Sequence, residues 1–114
     1  MRKDDEIRIR HMLEAAREAV SFARGRTRGD LDTDRQLVLS LVKDVEIVGE
    51  AGTRITKTTR EQLPTIPWEE IIAMRNRLVH AYFRINLDIV WQTVREDLPK
   101  LIALLEPLLP PEET

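Results

Sequence analysis

Along the first part of the chain Ile9, Met12, Leu13, Ala16, Val20 and Ala23 recur at three- and four-residue spacing with charged residues between them. That is the pattern of a helix with one apolar face. Asp4, Asp5 and Glu6 stand near its start, where the positive end of the helix dipole favours carboxylates, and Gly25 supplies a left-handed stop. The segment Gly25 to Asp32, with Arg24, Arg26 and Arg28 around two glycines, reads as a loop. Thr33 and Gln36 have the spacing of a capping box and open a second amphipathic helix through Leu37, Val38, Leu41, Val42, Val45 and Val48 toward Gly49 and Gly52. A glycine at position 49, inside a helical pattern, predicts that another helix comes close there.

Between Gly52 and Pro67 the periodicity is weak, which predicts a loop with one short helical turn around Thr59 to Leu63. Pro67 suits the first position of a third helix, Glu69 and Glu70 fall in its first turn, and its apolar pattern continues through Phe83. Asn86 or Asp88 can cap a fourth helix carrying Ile89, Val90, Val94, Leu98, Leu101, Ile102, Leu105 and Leu108. Pro99 kinks or splits it, and Pro110-Pro-Glu-Glu-Thr ends it. The sum is an all-α fold, one domain over residues 1–114, arranged as an antiparallel four-helix bundle. Composition supports it, with only 4 glycines and 4% aromatics. A chain of 114 residues hides roughly two-thirds of its unfolded surface on folding, enough for a core without staples.

Charge and chemistry narrow the function. With no Cys and only His11 and His80, a disulfide framework, a thiol nucleophile and thiolate metal sites are excluded, and no metal or other cofactor is expected. A net charge of -2 argues against coating nucleic acid by bulk charge but leaves room for a local basic pocket. The start lacks a signal-peptide core and no run is long enough to cross a bilayer, so a soluble cytoplasmic protein without membrane contact is expected. His11 sits among charged residues with nothing near it in sequence to complete a site.

The third helix holds the anomaly. At about 100° per residue, Ile71, Met74, Leu78, Tyr82, Val79, Ile72 and Phe83 span an arc of roughly 180° with Arg75 in its middle. A guanidinium is always charged and is rarely buried unpaired, so this position calls for a reason; one is an ion pair with an acid such as Glu46. Asn76 and His80, four residues apart, lie at the arc's polar edge. An arc this wide exceeds one packing partner and predicts a two-fold homodimer with these helices at the interface, which would gather two sets of Arg75, Asn76 and His80 into one pocket.

Arg75-Asn-Arg-Leu-Val-His80-Ala-Tyr82 resembles the Arg-x4-His-x-Tyr signature of the HepT-like toxins, a branch of the HEPN superfamily (higher eukaryotes and prokaryotes nucleotide-binding domain). Glu46-Ile-Val-Gly-Glu-Ala51, Pro64-Thr-Ile-Pro-Trp68, Met74-Arg-Asn-Arg77 and the stretch Trp91 to Leu98 resemble the blocks of that family in the same order. The resemblance implies an all-helical dimer that acts as a metal-independent endoribonuclease and toxin. It also implies a minimal nucleotidyltransferase antitoxin that silences it by transferring AMP to the motif tyrosine. Carried over, Arg75 and His80 are the catalytic pair, Asn76 supports the motif and Tyr82 is the AMP acceptor. Ala81 departs from the acid that family members often carry between His and Tyr.

The residue types suit that chemistry. RNA brings its own nucleophile in the 2′-hydroxyl, so cleavage needs a base, an acid and positive charge on the phosphorane. His80 can exchange the proton near neutrality and Arg75 can hold the phosphate through two donors. Arg77 and Arg84, with loop cations Arg24, Arg26, Arg28, Arg54, Lys57 and Arg60, are candidates for the RNA backbone. AMP on Tyr82 would place a second phosphate and a bulky base beside Arg75. The alternatives are a catalytically silent HEPN dimer that binds a nucleotide or partner protein, and a plain interaction subunit whose Arg75 fixes the dimer register.

Overall fold

A computed structural model of the chain describes residues 1–79 and 85–110, and every regular element among them is helical. The long elements are α1 (Lys3–Ala23), α3 (Arg35–Arg54) and α5 (Trp68–Val79), with short helices α2 (Asp30–Thr33) and α4 (Lys57–Gln62) at the corners. A last helical stretch begins with α6 (Leu87–Gln92), passes through a π-helical turn at Thr93–Asp97 and continues as α7 (Leu98–Leu105) and a 3₁₀ turn at Glu106–Leu108.

Contacts far apart in sequence fix how the helices run. Asp5 meets Thr56, Arg8 meets Arg54 and Met12 meets Gly52, so α1 and α3 are antiparallel. Gly49 meets Arg75 and Gly52 meets Ile71, so α3 and α5 are antiparallel as well. Arg17 bonds Glu106 and Arg28 bonds Asp88, which lays the last helical stretch back along α1. Between them lies one apolar core, with Ile9, Met12, Leu41, Val48, Ile71, Val94, Leu98 and Leu105 almost wholly hidden.

Local chemistry sets the boundaries. Gly25, at φ 75°, reverses the chain after α1 as its sequence position predicts. The second long helix is capped differently from the expectation: Asp34, not Thr33, accepts from the Leu37 N–H at 3.0 Å, and Thr33 ends α2 instead. Arg26 explains the shift, because it bonds both Asp30 at 3.3 Å and Asp34 at 2.7 Å and so folds the predicted loop into a helical turn. The short helical turn expected at Thr59 to Leu63 is α4, starting earlier at Lys57 with Thr56 as its cap. Asn86, rather than Asp88, caps the last stretch by accepting from the N–H groups of Asp88 and Ile89. Pro99 stands in the first turn of α7, where the last stretch is divided from α6 by the π-helical turn. Pro99 lacks an N–H for the Arg95 carbonyl, and the π-helical turn just before it, with Arg95 over the Trp91 ring at 5.5 Å, widens the spiral there.

Two carboxylates depart from the solvated role that first-turn and helix-surface acids usually have. Asp5 is fully buried and accepts from Thr56 Oγ1 and Thr59 Oγ1 at 2.6 Å each and from the Thr56 N–H at 3.1 Å. Burial alone would raise its pKa, but these three bonds with nearby Arg8 outweigh it and hold the carboxyl below its ordinary value. Asp44, only 2% exposed, shares a hydrogen bond with Glu18 of α1 and leaves Oδ2 without a partner. Burial first, then the hydrogen bond and charge of Glu18, push it up to about 7.

Opposite pH responses follow. A lowered folded pKa means Asp5 contributes stability above the ordinary carboxylate range and loses it as pH falls. Asp5→Ala should therefore cost about 2–4 kcal/mol near neutrality by leaving two hydroxyls and an N–H without their acceptor, and the deficit should shrink in acid. Asp44 has a raised folded pKa, so the native state holds its proton longer than the unfolded chain and stability declines as pH climbs from 3.8 toward about 7. Asp44→Asn should flatten that decline and stabilise the protein at pH 8 relative to the parent; urea titrations across pH check both.

Candidate functional site

Arg75 projects from the middle of α5 toward α3, and glycine makes the space it occupies. A Cβ built on Gly49 would overlap Arg75 Cβ and come within 2.9 Å of its Cγ. Any side chain at position 49 would therefore push α5 away, which is the close helix approach the sequence predicts. Three residues on, a Cβ at Gly52 would meet Ile71 Cγ2 at 3.0 Å, so the two glycines form a bare strip into which α5 settles.

The aliphatic stem of Arg75 is laid along this strip and its head emerges beside Glu50, with Nη2 3.1 Å from Oε2 and the side chain 31% exposed. The partner is Glu50, not Glu46, because Glu50 directly follows the glycine over which the stem lies. Glu50 also receives both Nε and Nη2 of Arg54, at 3.3 and 3.2 Å, so one carboxylate organises two guanidinia. Asn76 is exposed beside Arg75, its Oδ1 3.5 Å from Nη1, too long to orient either group strongly.

The described part of the apolar arc of α5 is used within the protomer. Ile71, Met74 and Leu78 are buried in the chain's own core and Ile72 is half-buried, so the described part of the arc does not require a second protein to cover it. His80, Ala81, Tyr82, Phe83 and Arg84, and with them the second catalytic candidate, the AMP acceptor and one RNA-backbone candidate, lie outside the described residues. Arg77 is exposed on a different side of α5, lining a groove of about 200 Å³ against α7 with Glu70, Asp97 and Lys100, and is not gathered with Arg75.

Several expected RNA-backbone cations have internal work. Arg26 is held by Asp30 and Asp34, and Arg28 by Asp32 at 3.1 Å and Asp88 at 2.7 Å. Arg60 donates to the carbonyls of Gly52, Thr53 and Ile55, satisfying the open end of α3. Arg54 is paired with Glu50 and Lys57 lies 3.8 Å from Glu61.

What sequence spacing did not reveal is a groove of about 580 Å³ between α1 and α3, which opens beside Arg75 and contains His11. Lys43, Glu46 and Ile47 of α3 and Ile7 and Arg8 of α1 share its walls. His11 and Arg75 are 64 positions apart in sequence (75 minus 11). Only the antiparallel pairing of α1 with α3, and of α3 with α5, puts them in one cavity. Among the described residues no group of three His, Cys, Asp or Glu converges as a metal site, and no helix is long and apolar enough to cross a membrane.

Comparison with known proteins gives the family of the chain. The family model described as ribonuclease HepT-like matches residues 12–108. "Gamma-glutamylcyclotransferase and putative RNase MJ0434" of Methanocaldococcus jannaschii is 35% identical over 89% of the chain, which spans only 46% of that relative. "Putative RNase MJ1380" of the same organism is 30% identical over 88% of the chain and 92% of its own length. "Probable ribonuclease HepT" of Thermococcus cleftensis is 32% identical over 95% of the chain and 98% of its own length. Among solved structures none matches.

The glycine strip gives a direct test of how Arg75 is seated. Gly49→Ala should lower stability by about 1–3 kcal/mol despite the better helix propensity of Ala, because α5 must move outward. Ala at exposed Gln36 of the same helix, measured by the same thermal melts, should cost nothing comparable.

Proposed function

Because the chain belongs to the HepT-like ribonuclease family, we propose that it is an endoribonuclease whose chemistry is carried by Arg75 and His80. The observation that supports this most directly is the seating of Arg75: a guanidinium immobilised over Gly49, braced by Glu50 and still exposed at a groove. A charge held in place costs little reorganisation when a phosphorane forms, which is where electrostatic catalysis gains most.

In this reading the RNA 2′-hydroxyl loses its proton to an imidazole and attacks the adjacent phosphorus. Arg75 holds the non-bridging oxygens through two donors, and the 5′-oxygen departs with a proton from a second acid. His80 fills the first role and its copy in a two-fold partner supplies the second. Asn76 lies beside the phosphate as a neutral donor. The functional unit is thus a homodimer of antiparallel four-helix domains with the α5 motifs facing each other, acting without a metal on RNA. Arg84 extends the backbone contacts, whereas Arg77, on another side of α5, does not join those at Arg75.

The biological role that fits is the toxin of a toxin–antitoxin pair. A minimal nucleotidyltransferase antitoxin transfers AMP from ATP to Tyr82, and the added phosphate competes for Arg75 while the nucleotide fills the cleft. A silent dimer that only binds a nucleotide or a partner is the second reading; it shares the motif but predicts no cleavage.

Expressed alone, the protein should arrest growth and cut RNA, and His80→Ala should reduce cleavage about 10²–10⁴-fold with its melting curve unchanged. Cleavage should persist in EDTA. Equal activity of parent and variant, or activity that vanishes with chelation and returns with magnesium, would reject the mechanism. Mass spectrometry after co-expression with a neighbouring nucleotidyltransferase should find AMP on Tyr82 and not on Tyr82→Phe.

A further inference from the structure

The groove between α1 and α3 has chemistry that the Arg75–His80 reading does not use. Its volume, about 580 Å³, falls in the roughly 300–1,000 Å³ range of sites that hold a small organic group. One part of its surface is apolar: Ile7, 45% exposed, faces the groove with half-buried Ile47 and the ring of His11. Ile7 is one of five large apolar side chains left exposed among the described residues, and here it stands in a charged groove with Ile47 and an imidazole ring, which together provide an apolar platform.

The charged groups divide by availability. Glu50 is engaged by Arg75 and Arg54, and Arg8 donates to the Arg54 carbonyl at 3.1 Å. Lys43 and Glu46 have no ion-pair partner among the described residues. The groove therefore offers one uncommitted cation, Lys43, two uncommitted carboxylates, Glu46 and Asp4 at the N-terminal end of α1, and an apolar platform, and ends at Arg75. A cation beside a platform matches a nucleotide, since phosphate takes the ammonium and a base takes the platform. A carboxylate in the same wall repels phosphate but accepts from an amino group on a base edge.

We propose that this groove is a nucleotide subsite for the RNA strand next to the cleaved bond. Ile7, His11 and Ile47 receive a base bearing an amino group, Glu46 accepts from that amino group, and Lys43 holds the phosphate that leads toward Arg75. The inference rests on the ribonuclease reading and assigns to His11 a binding role distinct from proton transfer.

The test uses the full chain and oligoadenylate and oligouridylate made non-cleavable by 2′-O-methylation, with binding followed by fluorescence anisotropy at several salt concentrations. Lys43→Gln should weaken both ligands about five- to tenfold and lower the salt slope by about one. Ile7→Asp and His11→Ala should each weaken oligoadenylate by about fivefold or more. Glu46→Gln should narrow the preference for oligoadenylate over oligouridylate. On cleavable RNA, KM should rise by a larger factor in the Lys43 and His11 variants than kcat falls. All four side chains are exposed or half-buried, and melting curves confirm that the variants fold.

Wild-type affinity and KM in all four variants would overturn the subsite while leaving the ribonuclease intact, because cleavage by the parent and its loss in His80→Ala are read separately. A parent that neither binds nor cuts RNA would remove both. If Ile7→Asp alters the mass of the particle in solution and leaves RNA affinity untouched, the groove is a contact between copies of the chain and the subsite is wrong.

Discussion

The packing of α5 on α3 depends on two positions where α3 has no side chain. Gly49 and Gly52 let the α5 backbone approach until Arg75 and Ile71 touch the α3 surface. Glycine lowers intrinsic helix stability by roughly 1 kcal/mol per position relative to Ala, and the close contact of Ile71 with the core offsets that. The same geometry decides where charge can sit. An arginine on an ordinary helix surface sweeps a wide volume, whereas Arg75 is confined by the bare strip below it and by Glu50 at its head.

Glu50 stands where two demands meet. It neutralises part of the charge on Arg75, which makes a half-buried guanidinium tolerable, yet it engages mainly Nη2 and leaves other donors of the fork for a ligand. Arg54 on the other oxygen balances the carboxylate in turn. Three other arginines are structural: Arg26 and Arg28 fold the corner after α1, and Arg60 closes the end of α3. Arg75 thus keeps part of its fork open at the groove, while these three are occupied inside the fold.

The helical character and the interior faces were legible because each is a local signal repeated many times. Ile9 to Ala23, Leu37 to Val48 and Val90 to Leu105 announce their faces by spacing alone, and Gly25 and Asn86 announce ends. Asp34 as a cap was hidden because its competitor Thr33 has an equally good local pattern, and the decision came from Arg26, eight residues away. Asp5 carried a readable signal: it lies four residues before Ile9 on the apolar face, and a carboxylate on that face asks for buried donors. Its partners Thr56 and Thr59 could not be named without the fold. Arg75 was recognisable from its place in an apolar arc, but its partner was not, since Glu46 and Glu50 are one helical turn apart and only the glycine contact chooses between them. The role of His11 depends entirely on tertiary pairing, which no local spacing records.

The π-helical turn at Thr93–Asp97 reaches beyond its five residues. Val90 before it, Val94 within it and Leu98, Leu101 and Leu105 after it are all buried. A π-helical turn takes up one residue more than an α-helical one and so sets the register in which those leucines meet the core, whereas a residue removed from the regular helix after it would rotate everything downstream by about 100° and carry them toward water. The widened turn is thus a place in this stretch where a single residue can be lost and the leucines keep their faces, by closing to an ordinary α-helical turn. Lineages of this protein should vary in length at the corners around Gly25 and Pro64, and between Trp91 and Pro99 by no more than the one residue that separates a π-helical turn from an α-helical one.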